Sequence, residues 1–491
     1  MGNNILFLSA SEIARLIKER KITSEKTVSK FLEQIKRYNK KYNAVVTLNP
    51  NAIDEAKMAD KELSNGNLLG KLHGVPITIK DNYKTKGLRS TSAYLPLKDN
   101  IPDRDAEIVK LLRAEGAIII GKTNLSVLAM DMQSNNPIFG KTNNPWDITR
   151  TSGGSSGGCA TALAAGMTPL SFGNDLAGSI RLPAAYCGVY GFKPSFGIVP
   201  LDIQMDPKEK TNGLKTLAVS GPLARNVEDL KLGFEIIAQN TKTDSTSIPI
   251  IKNGHELESK ELNIAWTDEF GGVPVDKEIQ EAIQKYIEKL NKAGIKTTKA
   301  IPALDFYQAW KTWGSFVGMQ GGFNTPNFIK WLGLPFTKGV LKKVPMHQNI
   351  VKPTSVEKFM VARNIQDKMI TTMNNFLNEY NAFICPVSAV TAFPHHTPTK
   401  SFGNFSIYNT PLKVNGKSIH YYMATQAYTT PFTLTENPVI SMPIALTKDS
   451  LPIGIQVVGK RYSGHRLLDI GKELSKHVGE VNYPLKNEKL Y

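Results

Sequence analysis

Near the start of the chain, apolar residues recur at helical spacing. Ser9-Ala-Ser11-Glu12 precedes Ile13, Leu16 and Ile17, a serine cap with an acid three residues on, and Thr23–Tyr38 repeats the pattern with Val28, Phe31, Leu32 and Ile35. Two amphipathic helices are therefore expected first. The pattern then becomes a short continuous apolar run, Val75-Pro-Ile-Thr-Ile79, which predicts a buried strand ending at Lys80-Asp-Asn82. A helix over Ala106–Ala114 and a second strand over Ala117–Ile120 follow. A strand, a helix and a strand at this spacing predict an α/β fold with a doubly wound sheet. Active groups in such sheets gather at the carboxyl ends of strands, where Lys80 falls.

Two tracts of small residues come next. Gly153-Gly-Ser-Ser-Gly-Gly158 opens a small-residue helix, Cys159–Ala165, and Gly173–Ile180 is a second Gly/Ser/Ala-rich turn after the apolar Thr168–Phe172. Linkers rarely sit between apolar elements on both sides, so both tracts read as ordered turns. A less regular stretch, 249–377, holds a helix over Asp276–Ala293, the aromatics Phe306, Tyr307, Trp310, Trp313, Phe323 and Trp331, and a proline-interrupted run. It reads as a variable, substrate-covering lobe. Strand signals return at Ala382–Val387, Val439–Leu446 and Ile453–Val458. The expected organisation is one domain over 1–491, with the core sheet drawn from 65–240 and 380–475.

At Lys80, Ser155 and Ser179 the sequence resembles the amidase signature family. The resemblance is carried by Gly74-Val-Pro-Ile-Thr-Ile-Lys-Asp-Asn82, Asn144-Pro-Trp146, Gly153-Gly-Ser-Ser-Gly-Gly158 and Gly173-Asn-Asp-Leu-Ala-Gly-Ser-Ile-Arg181. Pro183-Ala-Ala185, Cys187-Gly-Val189, Gly191-Phe-Lys-Pro194, Gly221-Pro-Leu-Ala-Arg225 and Leu451-Pro-Ile-Gly-Ile-Gln456 extend it over nearly the whole chain. The ordered set is specific, whereas a lone GGSSGG would not be. The resemblance implies a large mixed twisted sheet flanked by helices on both faces, and a Ser–cis-Ser–Lys triad. By motif, Ser179 is the nucleophile, Ser155 the bridging serine after a cis peptide, and Lys80 the base. The backbone N–H groups of Leu176, Ala177, Gly178 and Ser179 match the family's oxyanion hole, with Ser156, Asp175 and Arg181 in support. No metal and no cofactor is implied.

The chemistry suits these residues. A serine hydroxyl is a poor nucleophile until a base removes its proton, and a lysine serves as that base at neutral pH only if burial lowers its pKa. Two positions depart from the family: Asn174 stands where Thr is usual, and Ala177 where Gly is usual. The extra methyl of Ala177 is expected to narrow the acyl pocket or restrict φ. His395-His396 lacks metal-ligand spacing, and Cys159, Cys187 and Cys385 are too widely separated for a disulfide framework or zinc site.

Composition adds a partner question. With 60 Lys+Arg against 43 Asp+Glu the chain carries +17. From Pro326 to Ile370 eight basic residues (Lys330, Lys338, Lys342, Lys343, Lys352, Lys358, Arg363, Lys368) face two acidic ones (Glu357, Asp367). A solvated basic surface is the plain reading; an acidic carrier protein or a homodimer are the partners it leaves open, and nucleic acid is disfavoured. No run of 18 apolar residues and no signal-peptide core exist, so a cytoplasmic protein without a membrane span is expected. The expected function is a serine amidase hydrolysing an aryl or acyl amide through a Ser179 acyl-enzyme. Alternatives are an amide-forming transacylase, the glutaminase subunit of the tRNA-dependent amidotransferase, and a non-catalytic binding module; filled triad positions disfavour the last.

Overall fold

Ser9 caps the first helix as its sequence predicts: its hydroxyl accepts the Glu12 amide while the Glu12 carboxylate takes the Ser9 amide, closing a capping box over Ala10–Lys18. This is seen in a computed structural model that describes residues 5–203, 216–239, 261–322, 344–349, 355–402 and 405–486. The second helix runs Ser24–Tyr42, one turn longer than the apolar pattern, and ends on Asn43 in the left-handed region.

Eleven strands form one sheet. In chain order they are β1 Val45–Leu48, β2 Pro76–Lys80, β3 Ile118–Thr123, β4 Leu170–Asp175, β5 Tyr190–Lys193, β6 Val219–Ala224, β7 Asn263–Trp266, β8 Lys296–Lys299, β9 Ala382–Pro386, β10 Val439–Leu446 and β11 Pro452–Val458. Across the sheet the order is β1-β3-β2-β4-β6-β5-β10-β11-β9-β7-β8. β3, β2 and β4 run parallel, as do β9, β7 and β8, while the strands between are antiparallel. The fold is thus α/β with a mixed sheet flanked by helices. Every residue of β2, β3, β4 and β11 is buried, so these strands show apolar stretches with buried polar residues among them and no alternation of exposed and buried positions.

The sheet reaches beyond the two stretches expected to hold it. β7 and β8 lie within 249–377 and flank the helix Lys277–Lys292, so part of the expected lobe is a parallel βαβ unit on the sheet's edge. Their strands have four residues each, too short to stand out from the surrounding polar positions. The Gly173 turn also differs: Gly173, Asn174 and Asp175 continue β4, paired with Gly221, Ser220 and Val219 of β6. The neighbouring strand β5 requires a glycine at 221, because a Cβ there would lie 2.1 Å from the carbonyl oxygen of Phe192. The three cysteines are buried and free. Most of the basic stretch 326–370, with Phe323 and Trp331, lies outside the described residues.

Gly221→Ala is expected to destabilise the protein by about 1–3 kcal/mol through overpacking, read as a lower urea midpoint. Gly479→Ala, where nothing lies within 4 Å of the added methyl, is the control expected to leave the midpoint unchanged.

Candidate functional site

β2 and β4 run parallel with Ile79 opposite Phe172, so their carboxyl ends place Lys80 beside Asn174. Both side chains are buried. Lys80 Nζ donates to Ser155 Oγ at 2.7 Å and to Asn174 Oδ1 at 2.8 Å. Asn174 Nδ2 in turn donates to Asn82 Oδ1 at 3.0 Å, which orients the amide so that its oxygen faces the lysine. Asn174 therefore supplies a direct partner for Lys80, a role its departure from the family pattern did not disclose. Burial pulls the Lys80 ammonium down to about 7, only partly opposed by Cys159 and Asp175 nearby.

The first small-residue tract positions Ser155 and Ser156. The Gly154–Ser155 peptide is cis, and Ser156 immediately precedes the buried helix Gly157–Ala164, its hydroxyl 3.4 Å from the Asn174 carbonyl. Small residues let that helix press against β3: a Cβ on Gly158 would sit 2.4 Å from the Asn124 amide nitrogen. Ser134 Oγ lies 3.0 and 3.1 Å from the Gly153 and Ser155 carbonyls and accepts the Gly157 amide, so the segment carrying Asp131–Asn136 clamps the turn from outside.

Ser179 follows β4 at the head of the helix Arg181–Cys187 and is 3% exposed. The Ser156 amide donates to the Ser179 carbonyl at 3.1 Å, bringing the two serine turns together. Among the described residues no hydrogen bond joins the Ser155 and Ser179 hydroxyls. The predicted group of four amides is changed in one respect. Gly178 N–H donates to Asp175 Oδ1 at 2.7 Å, so it shapes the loop from behind, leaving Leu176, Ala177 and Ser179 as the candidate donors. Gly178 has φ +111°, and a Cβ there would meet Thr429 at 2.8 Å, so only glycine fits. Ala177 needs no left-handed backbone, and its methyl is tolerated.

Asp175 and Arg181 hold this loop. Both side chains have zero exposure. Burial raises the Asp175 carboxyl, but the Arg181 charge outweighs it and holds the group at about 2. Arg181 Nε and Nη2 donate to the two Asp175 oxygens at 3.0 and 2.9 Å, Nη1 to the Thr429 carbonyl and Gln456 Oε1, both at 2.8 Å, and Nη2 also to Thr433 Oγ1 at 2.8 Å. All five guanidinium donors are used. Gln456 Nε2 donates to the Pro386 and Tyr428 carbonyls, both at 2.8 Å, tying β9 and β11 to the site.

Three further residues brace the loop, of which the sequence singles out only Trp313, as one of the lobe's aromatics. Thr429 Oγ1 donates to the Ala177 carbonyl at 2.6 Å, and Tyr83 OH to the Gly173 carbonyl at 2.8 Å. Trp313 Nε1 donates to the Leu176 carbonyl at 3.1 Å, so the helix Phe306–Gly322 reaches the site as well as packing in the core. Only Trp313 belongs to a group that stands out in the sequence; a lone threonine or tyrosine carries no local signal. His395 lies apart, its ring bonded to Asn143 Oδ1 and held at about 4 by burial. Among the described residues no group of three His, Cys, Asp or Glu side chains could hold a metal, and no helix is long and apolar enough to cross a membrane.

A family model described as Amidase matches residues 26–468. The chain is 32% identical over 490 residues to the A subunit of the Glutamyl-tRNA(Gln) amidotransferase of Alkaliphilus metalliredigens, covering 94% of each. The corresponding amidotransferase chain from Thermotoga maritima superposes with a TM-score of 0.77 at 25% identity, covering 98% of this chain and 97% of that one. A bacterial aryl acylamidase of the amidase signature family shares the fold, with a TM-score of 0.79 at 23% identity and 96% of each chain covered.

Arg181→Met strands a buried carboxylate and is expected to destabilise the protein by about 3–5 kcal/mol. Adding Asp175→Asn should recover part of that loss; a double variant as unstable as the sum of the two single ones would show that the pair is not coupled.

Proposed function

The chain belongs to the amidase signature family, and on that premise we propose that it cleaves a carboxamide through an acyl-enzyme on Ser179. The observation that carries this reading is the Lys80–Ser155 hydrogen bond at 2.7 Å, made by a lysine held at about 7 by burial. Neutral Lys80 accepts the Ser155 proton while Ser155 accepts that of Ser179, and the Ser179 oxygen attacks the amide carbon. The amides of Leu176, Ala177 and Ser179 take up the oxyanion, a contribution of roughly 3 kcal/mol per donor in comparable sites. The C–N bond then breaks, the proton returns through Ser155 to the leaving nitrogen, and water or an amine takes the acyl group from Ser179.

The acyl donor has two readings. The similarity to amidotransferase A subunits along almost the full length favours glutamine as donor, with the released ammonia passed on within a complex that acts on tRNA. This is a better-supported reading than the aryl or acyl amide expected from sequence. The second keeps one observation: Trp313 and Trp310 set an aromatic helix against the Ser179 loop, Trp310 Nε1 bonding the Ala427 carbonyl at 2.9 Å, which suits an apolar acyl group. Ammonia release from glutamine, measured on the chain alone and with partner subunits and Glu-tRNA(Gln), against turnover of an aryl and alkyl amide panel, decides between them.

Ser179→Ala is expected to lower amide turnover by at least about a thousandfold and to abolish labelling by a fluorophosphonate; a label mapped by mass to another residue would remove Ser179 as nucleophile. With a neutral amide, single-turnover acylation should rise with pH through about 7 and level off above it, because only the unprotonated Lys80 serves as base. A flat profile between pH 5 and 9 would sink that assignment.

A further inference from the structure

A lysine that acts as base must do more than lose its proton. Its lone pair must also face the hydroxyl it is to deprotonate. The ammonium carries three donors, the neutral amine two N–H groups and one lone pair, and rotation about the Cε–Nζ bond exchanges them. Lys80 has no exposure, and its hydrogen-bond partners are Ser155 Oγ at 2.7 Å and Asn174 Oδ1 at 2.8 Å. The charged and titratable groups that act on it are Asp175 on β4 and the Cys159 thiol on the helix Gly157–Ala164. Asp175 is taken up by Arg181, and burial keeps Cys159 a thiol. An uncharged amide is therefore the one side chain besides Ser155 that decides how the Lys80 nitrogen is turned.

That amide is held at both ends. Asn174 lies on β4 opposite Ser220 of β6, so the ladder fixes its backbone. Its Oδ1 takes the Lys80 N–H, and its Nδ2 donates to Asn82 Oδ1 at 3.0 Å. Asn82 follows Lys80 by two residues, where the Tyr83 amide donates to the Lys80 carbonyl at 3.1 Å and closes a turn. Lys80, Asn174 and Asn82 thus form a closed loop of buried side chains across the ends of β2 and β4. Reversing the Asn174 amide would set its NH2 against the Lys80 ammonium and its oxygen against that of Asn82, losing both bonds.

We propose that Asn174, held by Asn82, is a positioning residue that keeps one Lys80 N–H engaged, so that the lone pair left by the departing proton faces the Ser155 hydroxyl. An amide oxygen only accepts, so it binds an N–H of Lys80 whether the amine is charged or neutral and never occupies the lone pair. A hydroxyl in the same place can donate to that lone pair and turn it away from Ser155. The proton count of the reaction is unchanged: Lys80 takes the Ser155 proton, Ser155 takes that of Ser179, and Asn174 neither gives nor receives one. The same oxygen favours the ammonium form, so Asn174 holds the Lys80 titration higher than burial alone would leave it. This role rests on the reading of Ser179 as the site of acyl transfer.

The rate at which a fluorophosphonate labels Ser179, followed against pH, reads the triad without a known substrate. Asn174→Leu is close in shape and has no acceptor. It is expected to lower the plateau rate by about tenfold or more and to move the midpoint below that of the wild type. Asn174→Asp keeps an acceptor and adds a negative charge, and turning the Asn82 amide lets its unpartnered Nδ2 donate to the new carboxylate. Its midpoint is expected about one unit or more above the wild type. Asn82→Leu should lower the plateau by a smaller factor than Asn174→Leu, and a plateau equal to the wild type overturns the part given to Asn82. An Asn174→Asp midpoint that does not rise, or an Asn174→Leu midpoint that does not fall, overturns the proposal even where the plateau drops, because a residue that only supports the fold lowers the plateau and leaves the midpoint in place. Label mapped to a residue other than Ser179 overturns the acyl-enzyme reading, whereas Ser179 labelling with unshifted midpoints overturns the Asn174 role alone. Should Asn174→Leu show no folded baseline in urea, the upward shift expected of Asn174→Asp still decides.

Discussion

The buried pair of Asp175 and Arg181 is the constraint on which the site depends. A guanidinium with no exposure is tolerable only if each of its five N–H groups finds an acceptor, and the acceptors here come from separate parts of the chain. Asp175 lies at the end of β4, Thr429 and Thr433 in and beside the helix Thr430–Leu434, and Gln456 in β11. Satisfying Arg181 therefore requires the C-terminal half of the chain to close on the Ser179 loop. The same carboxylate orders the loop from within, taking the amides of Gly178 and Ile180 at 2.7 and 3.1 Å. One ion pair sets both the shape of the loop and the assembly of the elements around it.

Burial alone does not determine what a charged group does, as the two neighbouring lysines show. Lys122 on β3 is as buried as Lys80 and is lowered to about 8 by burial, with Asp81 opposing. Its ammonium contacts the Tyr83 carbonyl, Thr85 Oγ1 at 2.7 Å and Ser90 Oγ at 3.0 Å, oxygens that all belong to one loop. All three of its donors are spent on holding that loop, which leads into Tyr83 and its contact with Gly173. Lys80 has two partners, both side-chain oxygens at the serine turns, and so keeps a free position for a proton in transit. Position among partners separates a structural lysine from a reactive one where desolvation does not.

The large positive charge has little to do with this arrangement. Within the site, Arg181 is matched by Asp175, and the described ion pairs elsewhere are mostly exposed and individually worth little. Asp131, by contrast, is a buried carboxyl with no ion pair among the described residues, and burial pushes it up to about 7 in a strongly basic chain. A long-range excess of lysine cannot neutralise a buried carboxylate, because solvent and salt screen distant surface charges.

Several strands and helices were legible in the sequence, because apolar runs and capping boxes are local and obey short-range geometry, whereas the triad and oxyanion expectations came from the resemblance of whole motifs to a family. β10 runs over Val439–Leu446 as its apolar pattern requires, and the helix expected over Asp276–Ala293 forms over Lys277–Lys292 with those two residues as its caps. The short strands β7 and β8 at one end of the sheet were not legible, since four residues leave no period to detect. Nor were Thr429, Gln456, Trp313 and Asn174, whose roles come from contacts between residues up to 275 positions apart. Which amide of the loop is engaged from behind, which lysine keeps a free position and which carboxylate lacks a counter-ion depend on hydrogen-bond partners brought together by packing. Those are set by the tertiary structure, because a donor or acceptor has no meaning for function until its distance to every other polar group is decided.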